Sequence, residues 1–325
     1  MNAQVEGHPP EPSPTAHDDA RIRVTLANLI AMRHRVREIR LFSMPNRGSP
    51  LTGVHHSRLR GRGVDFDQVR VYQAGDDVRN IDWRVTARTQ VPHTKLFHEE
   101  RERPVFILAE QSQRLFFGSG LALKSVVCAR AAALLGWASL DHNDRIGGLV
   151  FSDTAHHQIK PRRSKQSLLQ LLDRLERLNR SLRPGDAAVP AAFVQALRRA
   201  REVLRPGSLA IILCDERAID DSTEQQLALM ARHVEIMLLP IHDPLDHALP
   251  SAGLLRFHQA GTRLQLDSDA PALRDAYASA AMARTARWVA LAQRLNVMLL
   301  PLSTEADVVD QLRDQLDARI PGRHR

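Results

Sequence analysis

Glu110, Ser112 and Asp215 are the residues whose types and spacing best suit chemistry. Glu110 and Ser112 follow the apolar run Val105–Ala109, and Asp215 follows Leu209–Cys214. A carboxylate and a hydroxyl after one strand, with a carboxylate after another, form an all-oxygen donor set of the kind Mg²⁺ takes. In an open parallel sheet, ligands bind beyond the carboxyl ends of the central strands, so the three side chains can meet there. Arg114 brings a positive charge to the same place, and its guanidinium can pair with Glu110 or Asp215. Used as an enzyme, this trio would serve Mg-dependent hydrolysis.

Other clusters carry less. Arg60-Gly61-Arg62-Gly63 lacks the Gly-Lys-Ser/Thr ending of a phosphate loop. His55-His56 and His156-His157 read as surface residues, because a structural metal site needs further ligands. Glu99, Glu100 and Glu102 have no nucleophile pattern beside them and read as a solvated or salt-bridged run. Asp76, Asp77 and Asp82 can form an oxygen-rich cation site; pairing with Arg79, Arg84 and Arg88 is the simpler account.

The elements that must position these residues follow from apolar spacing. Pro9, Pro10, Pro12 and Pro14 make residues 1–17 a disordered leader. Residues 18–52 hold a helix from Ala20 to Phe42 and a linker. Leu26, Leu29, Ile30, Val36 and Ile39 form the helix's apolar stripe, beside a face rich in arginine. That stripe packs on the protein's own body; the alternative is a membrane-surface helix. Residues 53–103 are dense in both signs of charge. Val64, Phe66, Val69 and Val71 alternate as in a strand, Ala74–Asp77 is a turn, and Ile81, Trp83 and Val85 alternate again. With a short strand at Thr94–His98, these make a small β-meander. It is either a recognition surface or a salt-bridged structural element.

From residue 104 to 318 apolar strands alternate with helices. This implies an α/β fold, a mostly parallel, doubly wound sheet with helices on both faces. Leu209–Cys214 has no polar position, as expected at the centre of such a sheet. Residues 319–325 are a basic tail.

The formal net charge is +8, but basic residues are spread along the chain and interleaved with acidic ones. That distribution argues against a nucleic-acid footprint. Cys128 and Cys214 lie in apolar stretches and read as buried free thiols, which suits the cytoplasm. No apolar run is long enough to span a membrane, and none near the start resembles a signal peptide.

The order of elements and the strand ends resemble a von Willebrand factor A domain. That family's metal-ion-dependent adhesion site begins Asp-x-Ser-x-Ser. Here Glu110 stands at the Asp, Ser112 at the first Ser, Arg114 at the second Ser, and Asp215 at a later Asp. No Thr near Pro184–Pro190 matches the family's threonine, so the site is degenerate. Gly53-x-His55-x-Ser57, Arg60-Gly61-x-Gly63, Phe66, Arg70-x-Tyr72, Gly75-Asp76-Asp77-x-Arg79-x-Ile81-Asp82-Trp83 and Ala87-Arg88 together are similar to the signature of the domain of unknown function 58 family. Asp243-Pro244-Leu245-Asp246, then Leu249-Pro250, is similar to it too.

The resemblance implies a non-enzymatic adaptor for a MoxR-type AAA+ ATPase in protein remodelling or maturation, with no cofactor, and with a second von Willebrand factor A protein as a further partner. The expected interaction surface is His55, Arg60, Arg70, Tyr72, Asp76, Asp77, Arg79, Asp82, Trp83, Arg88 and Arg114. The alternatives are the Mg-dependent hydrolase, and a basic peripheral nucleic-acid or membrane-surface binder.

Overall fold

A computed structural model describes residues 16–39, 64–99, 103–259 and 262–318. The chain divides into a small unit, residues 47–102, and a large one built from residues 1–46 and 103–325.

The expected helix from Ala20 to Phe42 is broken. α1 (Ala16–Ile22) and α2 (Leu26–Ala31) are separate, and α2 runs into a 3-10 turn, Met32–Glu38. Thr25 is extended, and its hydroxyl accepts the Asn28 N–H, which caps a new helix. The Val24 N–H is given to Asn179 Oδ1 at 3.0 Å, and the Arg23 guanidinium donates to the Leu182 carbonyl at 2.6 Å. These tertiary bonds take over from helix propensity. The apolar stripe is nonetheless buried: Leu29, Val36 and Ile39 join the core, with Leu26 and Ile30 packed against it. An apolar face used this way is not free to enter a membrane.

In the small unit, β1 (Val64–Val71) pairs antiparallel with β2 (His93–Glu99), with a bulge between Phe66 and Gln68. The third strand expected at Ile81–Val85 is instead a helix, α3 (Trp83–Thr89), preceded by a 3-10 turn, Val78–Asn80. Asp82 decides this. Its carboxylate accepts the N–H groups of Arg84 and Val85 and so starts a helix. Gln90, left-handed at φ 60°, stops it. Only Ile81 retains a strand-like bridge, to Thr94.

The large unit continues with β3 (Pro104–Glu110), α4 (Lys124–Asp141), β4 (Arg145–Phe151), β5 (His156–Arg162), α5 (Lys165–Ser181), α6 (Ala192–Val203), β6 (Leu209–Asp215), α7 (Asp221–Ala231) and β7 (Glu235–His242). Then come α8 (Pro244–His247), a separate hairpin β8 (Leu254–Gln259) and β9 (Thr262–Asp267), α9 (Pro271–Leu295), β10 (Met298–Leu299), β11 (Leu302–Ser303) and α10 (Val308–Asp317). The sheet order is β10-β7-β6-β3-β4-β5, and β11 also pairs with β7. All its pairs are parallel except β4 with the edge strand β5. The apolar run Val297–Leu302 suggests a single strand. Pro301, which has no N–H to give the ladder, lies between the two short pieces that form.

Period-two alternation on fully apolar strands feeds two cores. Val105, Ile107 and Ala109 of β3 face one, with Leu209, Ile211 and Leu213 of β6 beside them, under α4, α5 and α10. Phe106 and Leu108, with Ala210, Ile212 and Cys214, face the other, under α6, α7 and α9. Helices therefore cover both faces of a mostly parallel sheet. Gly148 permits close approach within the sheet: a Cβ there would lie 2.2 Å from the Ile107 carbonyl oxygen. No described helix is long and apolar enough to cross a membrane.

Candidate functional site

β3 and β6 are adjacent parallel strands, so Glu110 and Asp215 leave the sheet side by side. Both are fully buried, at 1% and 0% exposure. Ser112 Oγ donates to Glu110 Oε1, and Glu110 Oε2 accepts the Asp215 N–H at 2.9 Å. The three residues expected to meet do meet.

What they meet is a cation already in the chain. Lys124, first residue of α4, is completely buried, and its ammonium donates to Asp215 Oδ2 at 2.7 Å and Asp246 Oδ2 at 2.8 Å. Arg217 closes the other side of Asp215, with Nε 3.0 Å from Oδ1 and Nη2 3.2 Å from Oδ2. Its Nη1 also lies 3.6 Å from Asp246 Oδ1. Two cations thus face two carboxylates.

Glu110 is the exception to this balance. Burial, followed by the charge of Asp215, pushes its pKa up to about 7. For Asp215 burial acts upward too, but Lys124 and Arg217 outweigh it and hold the carboxyl at about 2. One carboxyl is tuned toward the neutral form and its neighbour is locked as an anion, the pattern of two groups competing for limited positive charge.

Asp246 is placed by a local device. Asp243 caps α8, its side chain accepting the Leu245 N–H, while Asp246 Oδ2 accepts the Asp243 N–H at 3.0 Å. Asp243 in turn accepts from the Ser119 N–H at 2.6 Å, the Ser119 hydroxyl at 2.7 Å and the Thr304 hydroxyl. The loop before α4, the end of β7 and the residues after β11 are tied together at this point.

Glu110, Ser112 and Asp215 do not suit Mg²⁺ here. Asp215 spends both oxygens on Lys124 and Arg217, and Glu110 spends both on Ser112 and a backbone N–H. A dication would enter against an ammonium and a guanidinium already seated. Arg114, expected to pair with Glu110 or Asp215, touches neither carboxylate. Its Nη1 reaches the Arg217 carbonyl at 3.4 Å, and Arg217 Nη2 donates to the Arg114 carbonyl at 3.0 Å. Lys124 and Arg217 take the role foreseen for Arg114.

Lys124, Arg217, Asp243 and Asp246 are members of the site that sequence reasoning did not place there, Asp243 and Asp246 standing only in the family signature. The signal for Lys124 is a lysine opening an otherwise apolar Ala/Leu-rich helix. For Asp243 it is Asp-Pro, a helix-cap signature.

The remaining expected residues lie in the small unit, and Arg114 in the large one. His55 and Arg60 fall outside the described residues. Asp76 accepts from Arg70 Nη2 at 2.7 Å and from the Gln73 N–H, and Asp82 caps α3 and lies 3.5 Å from Lys95 Nζ. Asp77 Oδ1 accepts the Arg79 N–H at 3.0 Å, so Asp77 and Asp82 hold the backbone of Arg79 and Arg84, and the aspartates do not pair with the guanidiniums of Arg79, Arg84 and Arg88. Those three arginines are exposed and make no ion pair with other described residues. Trp83 is 69% exposed. Tyr72 is half-buried and gives its N–H to the Pro92 carbonyl at 2.8 Å. Of the histidine pair at the sheet edge, His156 and His157 pair with Phe151 and Val150 as ordinary β5 residues.

Comparison with known proteins gives the chain its place. The family model described as "Protein of unknown function DUF58" matches residues 68–287. The uncharacterized protein Rv1480 of Mycobacterium tuberculosis is 31% identical over 262 residues, spanning 79% of this chain and 80% of the relative. The uncharacterized protein Mb1516 of Mycobacterium bovis matches to the same extent. Two solved structures cover 67% of this chain and 98% of their own. They are the conserved hypothetical protein BatB from Bacteroides thetaiotaomicron (12% identity, TM-score 0.39) and an aerotolerance-related membrane protein from Bacteroides fragilis (14%, 0.42). Those two likenesses are too slight to bear on the site. With the family model spanning most of the chain and a relative above 30% identity over four-fifths of its length, this chain belongs to the DUF58 family.

Proposed function

We propose that this chain is a non-enzymatic interaction module of the von Willebrand factor A type, working in the cytoplasm as an adaptor for a MoxR-type AAA+ ATPase. The sheet order, with β3 at its centre and an antiparallel edge strand, supports the von Willebrand reading. The observation that carries the interaction role is Trp83. A tryptophan 69% exposed on a capped helix buries little of its own apolar surface, and the same short helix carries the exposed Arg84 and Arg88. Aromatic and arginine side chains together are the usual anchors of protein interfaces. The strand-end cluster then serves as a rigid support and not as a reaction centre, because Asp215 and Asp246 are matched by Lys124 and Arg217, and the one hydroxyl–carboxylate pair there, Ser112 with Glu110, is buried out of reach of a substrate.

The test is co-purification of the full chain with a purified MoxR-type ATPase. Trp83→Ala and the charge reversals Arg79→Glu and Arg88→Glu are expected to lower capture at least about tenfold, the effect of losing a hot-spot residue. Melting temperature should stay within about 2 °C for surface changes of this kind. Equal capture of wild type and all three variants would remove the adaptor reading.

A further inference from the structure

Next to the Lys124 cluster, through Asp215-Glu216 and Asp246-His247, a second one forms where the turn after β6, the end of β7 and the end of α8 converge. Among the described residues, donor atoms of Glu216, His242 and His247 all lie within 4.8 Å of one another. The two imidazoles are nearly parallel, their centroids 4.5 Å apart and their planes 9° apart. His247 Nε2 is 2.7 Å from Glu216 Oε2.

Each ligand is held by its own support. Glu216 is buried, and its Oε1 accepts the Thr285 hydroxyl at 2.6 Å. Its carbonyl accepts Trp288 Nε1 at 2.8 Å, which anchors the turn to α9. His242 is the last residue of β7, and α8, which carries His247, is fixed by the Asp243 cap. A carboxylate oriented by a hydroxyl is the kind of outer-shell arrangement that metal ligands use.

The donor set selects the ion. Two imidazole nitrogens and one carboxylate oxygen suit Zn²⁺ and its divalent neighbours, whereas Mg²⁺ and Ca²⁺ call for oxygen throughout. A tetrahedral ion with bonds of about 2.0–2.1 Å needs donors about 3.4 Å apart. The rings must splay slightly from their stack, and the ion takes the place of the hydrogen now shared by His247 and Glu216. Arg284 Nε, 3.7 Å from Glu216 Oε2, opposes binding, but its Nη2 is turned away to the Asp246 carbonyl at 2.8 Å. His247 also lines an open groove with Ala281, Met282, Thr285 and Val289 of α9. The groove offers a path in and room for a fourth ligand.

We propose that Glu216, His242 and His247 form a binding site for one divalent transition metal of the zinc type, with its fourth position open to water or a ligand in the α9 groove. This proposal does not depend on the adaptor reading.

The test is Zn²⁺ titration of the full chain in competition with a chromophoric chelator. One equivalent is expected to bind, and a large molar excess of Mg²⁺ should not displace it. Thr285→Val, which removes only the support of Glu216, should weaken binding about 10–100-fold. His247→Gln, at a side chain 36% exposed, should weaken it more while leaving the circular dichroism spectrum unchanged. X-ray absorption of the zinc-loaded chain should show two imidazoles at about 2.0–2.1 Å. His156→Gln/His157→Gln should bind as the wild type does. Absence of stoichiometric binding, or binding unchanged in both Thr285→Val and His247→Gln, would overturn the proposal.

Discussion

Lys124→Met removes the ammonium between Asp215 and Asp246 while preserving the length of the side chain. In the wild type that ammonium is wholly buried and makes bonds of 2.7 and 2.8 Å to two carboxylates. Removing one partner of a buried ion pair costs about 3–5 kcal/mol, because the other charge stays behind without compensation. Arg217 remains, but it serves Asp215 well and Asp246 only at 3.6 Å, so Asp246 carries most of the loss. The lower end, about 3 kcal/mol, is expected, or roughly a 4–5 °C fall in melting temperature for a chain of this length. The assay is thermal and urea unfolding followed by circular dichroism. Adding Asp246→Asn to Lys124→Met should recover part of the loss, since it neutralises the stranded charge. A cycle built from these variants should show coupling of more than about 1 kcal/mol. A loss below about 1 kcal/mol for Lys124→Met, or strict additivity in the double variant, would refute the reasoning.

Glu110 sets a pH dependence of its own. Its folded pKa of about 7 exceeds the ordinary 4.5, so its stabilising contribution is complete below about pH 4.5 and is lost as pH rises through 7. The loss is about 3 kcal/mol, and Glu110→Gln should flatten that slope in urea midpoints measured from about pH 5 to 8. Asp215, held at about 2 against an ordinary 3.8, acts oppositely: its contribution is complete above about pH 3.8 and lost as pH falls through 2, a limb that Asp215→Asn should erase. Gly148→Ala should cost at least about 1–3 kcal/mol by unfolding, because its Cβ would meet the Ile107 carbonyl at 2.2 Å in the middle of the sheet.

Strands such as β6 are legible because an all-apolar run like Leu209–Cys214, between helical segments, has few other uses. The meeting of Glu110, Ser112 and Asp215 follows from the same logic, since adjacent parallel strands deliver their ends to one place. Lys124 is hidden because the helix surrounding it says only that the face is buried. Nothing local states that two aspartates from β6 and α8 wait for its ammonium. Trp83 misleads for a different reason. Three residues alternating at Ile81, Trp83 and Val85 fit a strand, but the Asp82 cap outweighs so short a pattern. The helix expected at 20–42 breaks because Val24 and Arg23 find partners on and after α5, some 155 and 159 residues away. His242 and His247 are not singled out by spacing, because their stacking joins the last residue of β7 to α8 across the Asp243 cap.

The central claim is that Lys124 and Arg217, and not a divalent ion, complete the strand-end cluster. Calorimetric titration of Mg²⁺ into the full chain, beside Lys124→Ala, tests it most directly. No binding heat is expected in the wild type at millimolar Mg²⁺, with a saturable signal appearing only when the ammonium is removed. Stoichiometric Mg²⁺ binding by the wild type, abolished by Asp215→Ala, would contradict it.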